Sequence, residues 1–532
     1  MAGSRKKVLW VDDEIEFLRS HIMFLETRGY SVIPVFSGDD AIHIISEKPS
    51  EFDIVLLDEQ MPGKDGLTTL EEIKDISPEL PVVMVTKSEE EQVMEDAFGK
   101  KIDGYLTKPV NPSQILSICK SLLDSKQYID SEINQKFIRS FSENRSAISG
   151  PLDARRWITL YENLVKWDFE LERIDDEGLR QTHSGQKSDC NRAFSQFIVE
   201  HYAAWMRNTR NPPVMTPHII DKALLPFLEN GEKVYFVVMD CMRLDQFLAI
   251  ESLLKKSYDI KRRYFYSILP SSTGFARRSL FAGKFPDEIA HQHPGMYRDL
   301  DEDNIDSCEF EKMLLLEKLK KSNVKLSPQP KLVAINNSTD ARQFLKNLDE
   351  YEKDQLVAIT VNFVDMLVQS RTTSAILKEI APDESAFRSL TRAWFQYSTL
   401  YQILRKLADQ NCTVLMTTDH GSVFCTRSTD LYGSREIMKN TRYKRGVKIT
   451  SDERRAIHLS DPTIFRLPRS IEDEHYILAL ENYYFCVPGK FEDYKDRYEN
   501  SFQQGGVSLE EMILPLAVLK PLRDEEPPAE FV

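Results

Sequence analysis

Short apolar runs alternate with amphipathic stretches over residues 7–123, and this alternation constrains the fold more than any other feature of the chain. The runs are Lys7–Val11, Ser31–Val35, Ile54–Leu57, Val82–Val85 and Gly104–Leu106. The stretch after the first run has helical spacing and closes with Gly29, a residue that often ends helices; its apolar positions are Ile15, Leu18, Ile22 and Leu25. Strand and helix alternating in this way predict a doubly wound parallel sheet.

Polar residues suited to metal and phosphate chemistry follow four of these runs. Asp12 and Asp13 follow the first run and Asp58 the third, while Thr86 and Lys108 follow the fourth and fifth. The carboxyl ends of parallel strands form the ligand crevice of such a sheet. Three carboxylates meeting there would repel one another without a hard cation such as Mg²⁺. Each residue alone is also compatible with a helix cap or a turn, but together they favour phosphoryl transfer to Asp58.

The segments V-D-D-E, L-L-D-E-Q-M-P-G-K-D-G, V-T-K and G-Y-L-T-K-P-V, spread over residues 5–123, resemble bacterial response-regulator receivers. The resemblance implies a flavodoxin-like domain over residues 1–123 that a sensor histidine kinase phosphorylates on Asp58. The other roles it implies are Mg²⁺ ligands at Asp12, Asp13, Asp58 and the Gln60 backbone carbonyl, a switch pair at Thr86 and Tyr105, and a phosphate contact at Lys108. We expect phosphorylation to shift a pre-existing equilibrium through the switch pair.

Residues 124–210 have no strand-like run and predict a helical bundle that acts as a connector. Large apolar residues recur there at three- and four-residue steps, at Trp157, Leu160, Leu164, Trp167 and Leu171. Prolines at 212, 213 and 217 then interrupt the pattern and mark a boundary. Strand-like runs return in a second α/β domain, predicted over 211–525, at Lys233–Met239, Lys331–Ile335, Leu356–Val361 and Thr413–Thr417, with a long helical stretch at Glu384–Asp409.

A second set of polar residues follows strands of this larger domain. Asp240 ends one strand, and Asp419 and His420 follow another. Two carboxylates and an imidazole suit Zn²⁺ and leave a coordination position open. In L-P-S-S-T-G-F-A-R-R, Thr273 can begin a helix, where a metal-activated alkoxide would be a suitable nucleophile for a phosphate ester. From spacing alone, ordinary caps and a solvent turn explain these residues equally well.

Residues 231–522 resemble PglZ domains of the alkaline phosphatase superfamily, with a strand-terminal Asp, a Ser or Thr ten residues before an A-G pair, and T-D-H-G. The resemblance implies that Asp240, Thr273, Asp419 and His420 surround one Zn²⁺, with Thr273 as the nucleophile; Ser271 and Ser272 are the alternatives. It also implies a second metal site at Asp365. Its expected histidines are replaced by Gln369 and Gln504, which are poorer zinc ligands, so one ion is favoured over two. His291, His293 and His458 are possible substitutes.

The order of receiver, helical connector and PglZ domain resembles response regulators of the type IX secretion system. The resemblance implies a sensor histidine kinase, an extracytoplasmic-function (ECF) sigma factor, and a homodimer that forms on phosphorylation. It further implies a zinc-dependent phosphodiesterase for nucleotide or oligonucleotide substrates. The alternative is a catalytically degenerate PglZ domain that serves as a binding module for the sigma factor or a secretion component.

Charge and composition narrow the classes of function. A net charge of -15 and a pI near 5.3 disfavour a nucleic-acid binder, and no basic recognition helix follows the receiver, so direct DNA binding is not expected. The seven cysteines are scattered, which favours reduced thiols. No apolar run approaches the ~18 residues of a membrane span, and the N-terminal apolar run is too short for a signal peptide. We therefore expect a cytoplasmic protein without membrane insertion.

Overall fold

The computed structural model divides the chain into two compact units, Met1–Ser140 and Phe141–Val532. The residues that it describes are 5–49, 51–86, 102–174, 176–207, 212–294, 307–322, 324, 326–433, 440–469 and 471–522. The predicted domain boundary between residues 210 and 211 lies outside these ranges. The boundary at residues 123 and 124 stays a prediction.

The first unit contains a five-stranded parallel sheet of order β2-β1-β3-β4-β5. Its strands are β1 Lys6–Val11, β2 Tyr30–Val35, β3 Ile54–Asp58, β4 Val82–Thr86 and β5 Gly104–Thr107. Its helices are α1 Arg19–Glu26, α2 Gly38–Glu47 and α3 Gly66–Ile76, together with α4 Pro112–Ile148, whose last residues after Ser140 belong to the second unit. Strands β3 and β4 are buried throughout because helices pack on both faces of the sheet. The flavodoxin-like fold predicted for this segment is confirmed.

Close backbone packing explains why a glycine, Gly66, follows Asp65 after the phospho-acceptor candidate. A Cβ atom at this position would lie 2.3 Å from the carbonyl oxygen of Asp58 and 2.7 Å from the Cα atom of Glu59. The start of α3 therefore packs against the end of β3 at a distance that only glycine allows.

The second unit begins with long helices and continues as a mixed α/β domain. Its helices are α5 Ala154–Glu172, α6 Glu177–Met206, α7 Leu225–Glu229, α8 Leu244–Leu254, α9 Thr273–Ala282, α10 Pro286–Gln292, α11 Ser307–Lys321, α12 Ser338–Lys346, α13 Phe363–Thr373, α14 Ala375–Ile380, α15 Glu384–Tyr397, α16 Thr399–Asp409, α17 Phe491–Tyr498 and α18 Leu509–Met512.

The main sheet of this unit has six strands in the order β7-β19-β10-β6-β9-β8. Its strands are β6 Val234–Met239, β7 Tyr258–Tyr266, β8 Lys331–Ile335, β9 Leu356–Val361, β10 Thr413–Thr418 and β19 Ile513–Pro521. Strands β10, β6, β9 and β8 are mutually parallel, whereas β19 runs antiparallel to both of its neighbours. The carboxyl ends of β6 and β10 thus lie side by side.

Small sheets complete the second unit. They contain β11 Val423–Cys425, β12 Arg427–Tyr432, β13 Tyr443–Gly446, β14 Thr450–Ser451, β15 Ala456–Leu459, β16 His475–Ala479, β17 Tyr483–Cys486 and β18 Ser501–Gln503.

Short 3₁₀ or π turns lie at Ile15–Leu18, Thr216–His218, Ile220–Leu224, Leu348–Tyr351 and Pro462–Phe465.

Helices α5 and α6 share their core with the α/β domain. Trp157 and Leu164 are buried in the same cluster as residues of β6 and β19. The Lys187 ammonium lies 2.8 Å from a Glu384 oxygen, and the Asn191 amide donates to Glu510. A helical region is therefore present as predicted, and its helices α5 and α6 pack as part of the second unit.

The predicted helical stretch 384–409 is two helices. Ser398, which separates α15 from α16, has ψ of 154°, outside the helical range, and its side chain accepts the Tyr401 N–H. Helical periodicity continues on both sides, so the break leaves no mark in the apolar pattern.

Two properties apply to the chain at large. All seven cysteines are free thiols. Within the described ranges, no helix is both long enough and apolar enough to cross a membrane.

Candidate functional site

The first candidate site lies at the carboxyl edge of the receiver sheet. Asp12, Asp13 and Asp58 each offer a carboxylate oxygen, and these oxygens lie within 4.8 Å of one another. Asp12 and Asp58 are buried, whereas Asp13 is exposed. Three converging carboxylates fit the oxygen coordination that Mg²⁺ requires.

Lys108 contributes the protein's own positive charge to this site. Its ammonium lies 2.8 Å from an oxygen of Asp12 and 2.8 Å from an oxygen of Asp58. Burial raises the pKa of Asp58, the hydrogen bond from Lys108 opposes that rise, and the nearby carboxylates of Asp12 and Asp13 add to it. A carboxylate in this setting gains from any further cation that neutralises the cluster.

The predicted switch residues lie beside this cluster. Thr86 is buried at the end of β4, and its hydroxyl donates a hydrogen bond to the carboxylate of Glu59. Tyr105 on β5 is half-buried and packs against the apolar core. The exposed Gln60 lines a surface concavity with Asp13, Glu59, Met61, Pro62, Asp65 and Leu67. The Glu59 contact is a feature that the sequence pattern did not single out.

The second candidate site lies where β6 and β10 end. Asp240 follows β6, Asp419 and His420 follow β10, and their ligand atoms lie within 4.8 Å of one another. All three side chains are buried. Thr273, the first residue of α9, places its hydroxyl oxygen 3.2 Å from Asp240 Oδ1 and 3.0 Å from His420 Nε2. Two carboxylates, an imidazole and a hydroxyl around one point fit Zn²⁺.

The neighbouring hydroxyls have other surroundings. Ser271 donates to the carbonyl oxygen of Gly506 at 2.8 Å. Ser272 is the residue before α9, and its buried hydroxyl has no hydrogen-bond partner in the described part of the chain. Thr273 is the member of the trio that contacts both Asp240 and His420.

Backbone groups orient the T-D-H-G loop. Asp419 Oδ1 accepts the N–H groups of His420 at 3.0 Å and Cys241 at 3.3 Å, which leaves Oδ2 for other partners. His420 Nδ1 lies 3.1 Å from the carbonyl oxygen of Gly421, so the other ring nitrogen faces Thr273. A Cβ atom on Gly421 would lie 2.0 Å from the carbonyl oxygen of Glu510, which explains the glycine of the motif.

Arg277 is a further residue of this site. It lies one helical turn after Thr273, forms an ion pair with Asp240, and places Nε 3.0 Å from Asp419 Oδ2. Burial would raise the pKa of Asp240, but Arg277 and His420 together outweigh burial and lower this pKa to about 2. The four-residue spacing from Thr273 places Arg277 on the same helix face and is the signal that could have assigned it.

Glu311 on α11 is a second buried group near the site. Its carboxylate lies 4.0 Å from Arg277 Nε, and burial raises its pKa to about 7. No motif surrounds Glu311, so it could not be selected from the sequence alone.

The predicted second metal site is not formed by a similar cluster. The Gln369 amide donates to Asp365 Oδ2 at 2.6 Å. Among the described residues, no group of three His, Cys or carboxylate ligands includes Asp365, and His291, His293 and His458 belong to no such group. The residues present therefore fit one zinc ion at Asp240, Asp419 and His420, and they do not fit a second at Asp365.

Comparisons with known proteins identify three domains along the chain. Residues 8–120 match the response regulator receiver domain, residues 127–206 match the PorX response regulator linker domain, and residues 219–519 match the BREX system PglZ alkaline phosphatase-like domain. The fold and these matches define a two-component response regulator with an alkaline phosphatase-like domain. The chain belongs to the PglZ alkaline phosphatase-like family, since that match covers more than half of it. Its domain order is the PorX-like one.

Individual relatives match about a fifth of the chain. The chain is 34% identical to the transcriptional regulatory protein ResD of Bacillus subtilis over 117 residues, 22% of this chain and 48% of that protein. It is 32% identical to the sensor kinase CckA of Brucella abortus over 124 residues, 22% of this chain and 13% of that protein. The chain spans less than half the length of each. A receiver domain structure from Methanospirillum hungatei is 29% identical, covers 24% of this chain and 98% of that chain, and has a TM-score of 0.23.

Proposed function

We propose that this chain is a response regulator whose PglZ domain hydrolyses phosphodiesters of nucleotides or oligonucleotides under the control of Asp58 phosphorylation. The observation that carries the enzymatic part is the position of the Thr273 hydroxyl, which lies within 3.2 Å of both Asp240 and His420 at the first turn of α9. A hydroxyl held by a carboxylate and an imidazole at a helix start is placed for attack on a bound phosphate.

The chain's own residues supply most of the chemistry. Asp240, Asp419 and His420 would hold Zn²⁺ together with Thr273, and the bound ion would supply the charge that favours the alkoxide. The Thr273 oxygen attacks phosphorus, and the bond from phosphorus to the leaving alcohol breaks. The intermediate is a diester between Thr273 and the remaining nucleotide, and water then cleaves its bond from phosphorus to the Thr273 oxygen, which releases a phosphomonoester and restores the hydroxyl. Backbone N–H groups at the start of α9 stabilise the phosphate oxygens.

Metal analysis combined with hydrolysis tests the enzymatic proposal. We expect about one zinc per chain and hydrolysis of bis-p-nitrophenyl phosphate that falls at least ~100-fold in Thr273→Ala. Ser271→Ala is the matched control, because its hydroxyl faces Gly506 instead, and it should retain activity. Equal rates in the wild-type protein and Thr273→Ala, with zinc bound in both, would exclude Thr273 as the nucleophile. Parallel assays with p-nitrophenyl phosphate separate diesterase from monoesterase activity.

The regulatory part rests on the carboxylate cluster of the receiver. Mg²⁺ held by Asp12, Asp13 and Asp58, with the Gln60 carbonyl, would neutralise phosphate oxygens during transfer to Asp58. We expect labelling by a phosphodonor such as acetyl phosphate, absent in Asp58→Asn and retained in the exposed control Asp75→Asn.

Dimerisation on phosphorylation is the proposed consequence of this transfer, through the switch residues Thr86 and Tyr105. Light scattering after size-exclusion chromatography, with and without phosphodonor, measures it. A monomer in both conditions would rule out the dimer.

A binding module is the second candidate function, and the hydrogen bond from Gln369 to Asp365 favours it, because an amide engages the residue expected to hold a second metal. In this version the PglZ domain recruits an ECF sigma factor or a secretion component. A Thr273→Ala protein that still binds the sigma factor, beside a wild-type protein without diesterase activity, would support it. In both versions the cellular role we propose is cytoplasmic control of type IX secretion, downstream of a sensor histidine kinase.

A further inference from the structure

We propose that Glu59 is a positioning residue that holds the Thr86 hydroxyl in the unphosphorylated receiver and so sets how tightly the site retains a phosphoryl group. The inference rests on the proposed phosphorylation of Asp58. Glu59 directly follows Asp58, and the receiver motifs assign no role to this position.

The backbone of Glu59 is fixed by the sheet. Its N–H donates to the carbonyl oxygen of Val85 at 3.2 Å, and its own carbonyl accepts the Gly66 N–H at 2.9 Å. Strands β3 and β4 pair in parallel with Asp58 opposite Val85, so Thr86 lies one residue further along the neighbouring strand. This register places the Glu59 side chain within reach of the Thr86 side chain.

The side chains meet in the structure. The Thr86 hydroxyl donates to a carboxylate oxygen of Glu59. Thr86 is buried, with 1% of its surface exposed, whereas Glu59 is half-buried and lines the concavity beside Asp13 and Gln60. The contact therefore joins the switch hydroxyl to a carboxylate at the mouth of the phosphorylation site.

One proton cannot serve two acceptors. A threonine hydroxyl has a single hydrogen to donate, and the Glu59 carboxylate and a phosphoryl group are both charged acceptors that compete for it. A phosphoryl group on Asp58 can receive the Thr86 hydrogen only after the bond to Glu59 breaks. The Glu59 carboxylate would thus weaken the phosphorylated state, by holding the hydroxyl and by adding negative charge near the phosphoryl oxygens.

Binding of beryllofluoride, which mimics a phosphoryl group, to the full chain in the presence of Mg²⁺ tests the proposal by calorimetry. We expect Glu59→Ala to bind it about tenfold more tightly than the wild-type chain. Glu59→Gln keeps the side-chain length and removes the charge, so it should be intermediate. The second readout is the lifetime of the phosphorylated chain, which should lengthen in the same order.

A double-mutant cycle separates the held hydroxyl from the charge. In a Thr86→Ala background there is no hydroxyl to hold, so Glu59→Ala should improve affinity by less than about threefold. Equal gains in both backgrounds would show a charge effect only and overturn the proposal, as would unchanged affinity in Glu59→Ala. A wild-type chain that binds no more beryllofluoride than Asp58→Asn would instead overturn the phosphorylation of Asp58 on which the proposal rests.

Discussion

The buried carboxyl group of Glu311 makes a specific prediction about pH and stability. Glu311 is 3% exposed, and Arg277 Nε lies 4.0 Å from its carboxylate. Burial raises its pKa to about 7 from an ordinary value of 4.5, because Arg277 compensates only part of the lost hydration. Replacing Glu311 by Gln removes the titration and keeps the shape.

The direction in which pH changes the free energy of unfolding depends on which state binds the Glu311 proton more tightly. The folded pKa lies above the unfolded one, so the folded chain holds the proton while the unfolded chain has released it. The stabilisation is complete below pH 4.5 and is lost as the pH rises through 7. At about 1.4 kcal/mol for each pH unit between the two pKa values, the loss amounts to roughly 3 kcal/mol.

Urea unfolding of metal-free protein between pH 4.5 and pH 8 measures this loss. Relative to the wild-type chain, Glu311→Gln should gain about 3 kcal/mol in free energy of unfolding over that range. Glu309→Gln, on the same helix but with a side chain 79% exposed, should show no pH-dependent difference. A constant difference between Glu311→Gln and the wild-type chain would refute the reasoning.

Two further predictions concern buried contacts of the second unit. Arg442→Met should cost about 3–5 kcal/mol of unfolding free energy, because it leaves the fully buried carboxylate of Glu511, which Arg442 pairs with at 2.6 Å, without a cation. The control Arg455→Met removes an exposed ion pair and should cost less than about 1 kcal/mol in the same urea titration. Gly421→Ala should reduce zinc content and thermal stability, since its methyl group would overlap a backbone carbonyl. The control Gly185→Ala, which meets nothing within 4 Å inside α6, should raise thermal stability slightly.

Residues that end parallel strands could be predicted from the sequence. The order of strands and helices fixes a parallel sheet, and a parallel sheet brings Asp12 and Asp58 to one edge. The same logic brings Asp240 and Asp419 together, because β6 and β10 are neighbours. Local pattern and topology are sufficient for these contacts.

Contacts that depend on exact register or on distant packing could not be predicted. Glu59 reaches Thr86 only because β3 and β4 pair with one particular register. Glu311 approaches Arg277 through packing of α11 against α9, which no local pattern encodes. Spacing alone leaves Thr273 open among three consecutive hydroxyls, and it is the resemblance to PglZ domains that selects this residue, which begins α9.

Helix α6 forms part of the wall that supports the T-D-H-G loop. Asn191 on α6 donates to the Glu510 carboxylate and accepts the Leu509 N–H at 2.8 Å. The backbone of Glu510 in turn packs directly on Gly421. A small rotation of α6 would therefore move the turn at residues 509–510 and, through it, the backbone next to Gly421. Part of the segment that matches the PorX linker domain thus contacts the turn that holds the T-D-H-G loop in place.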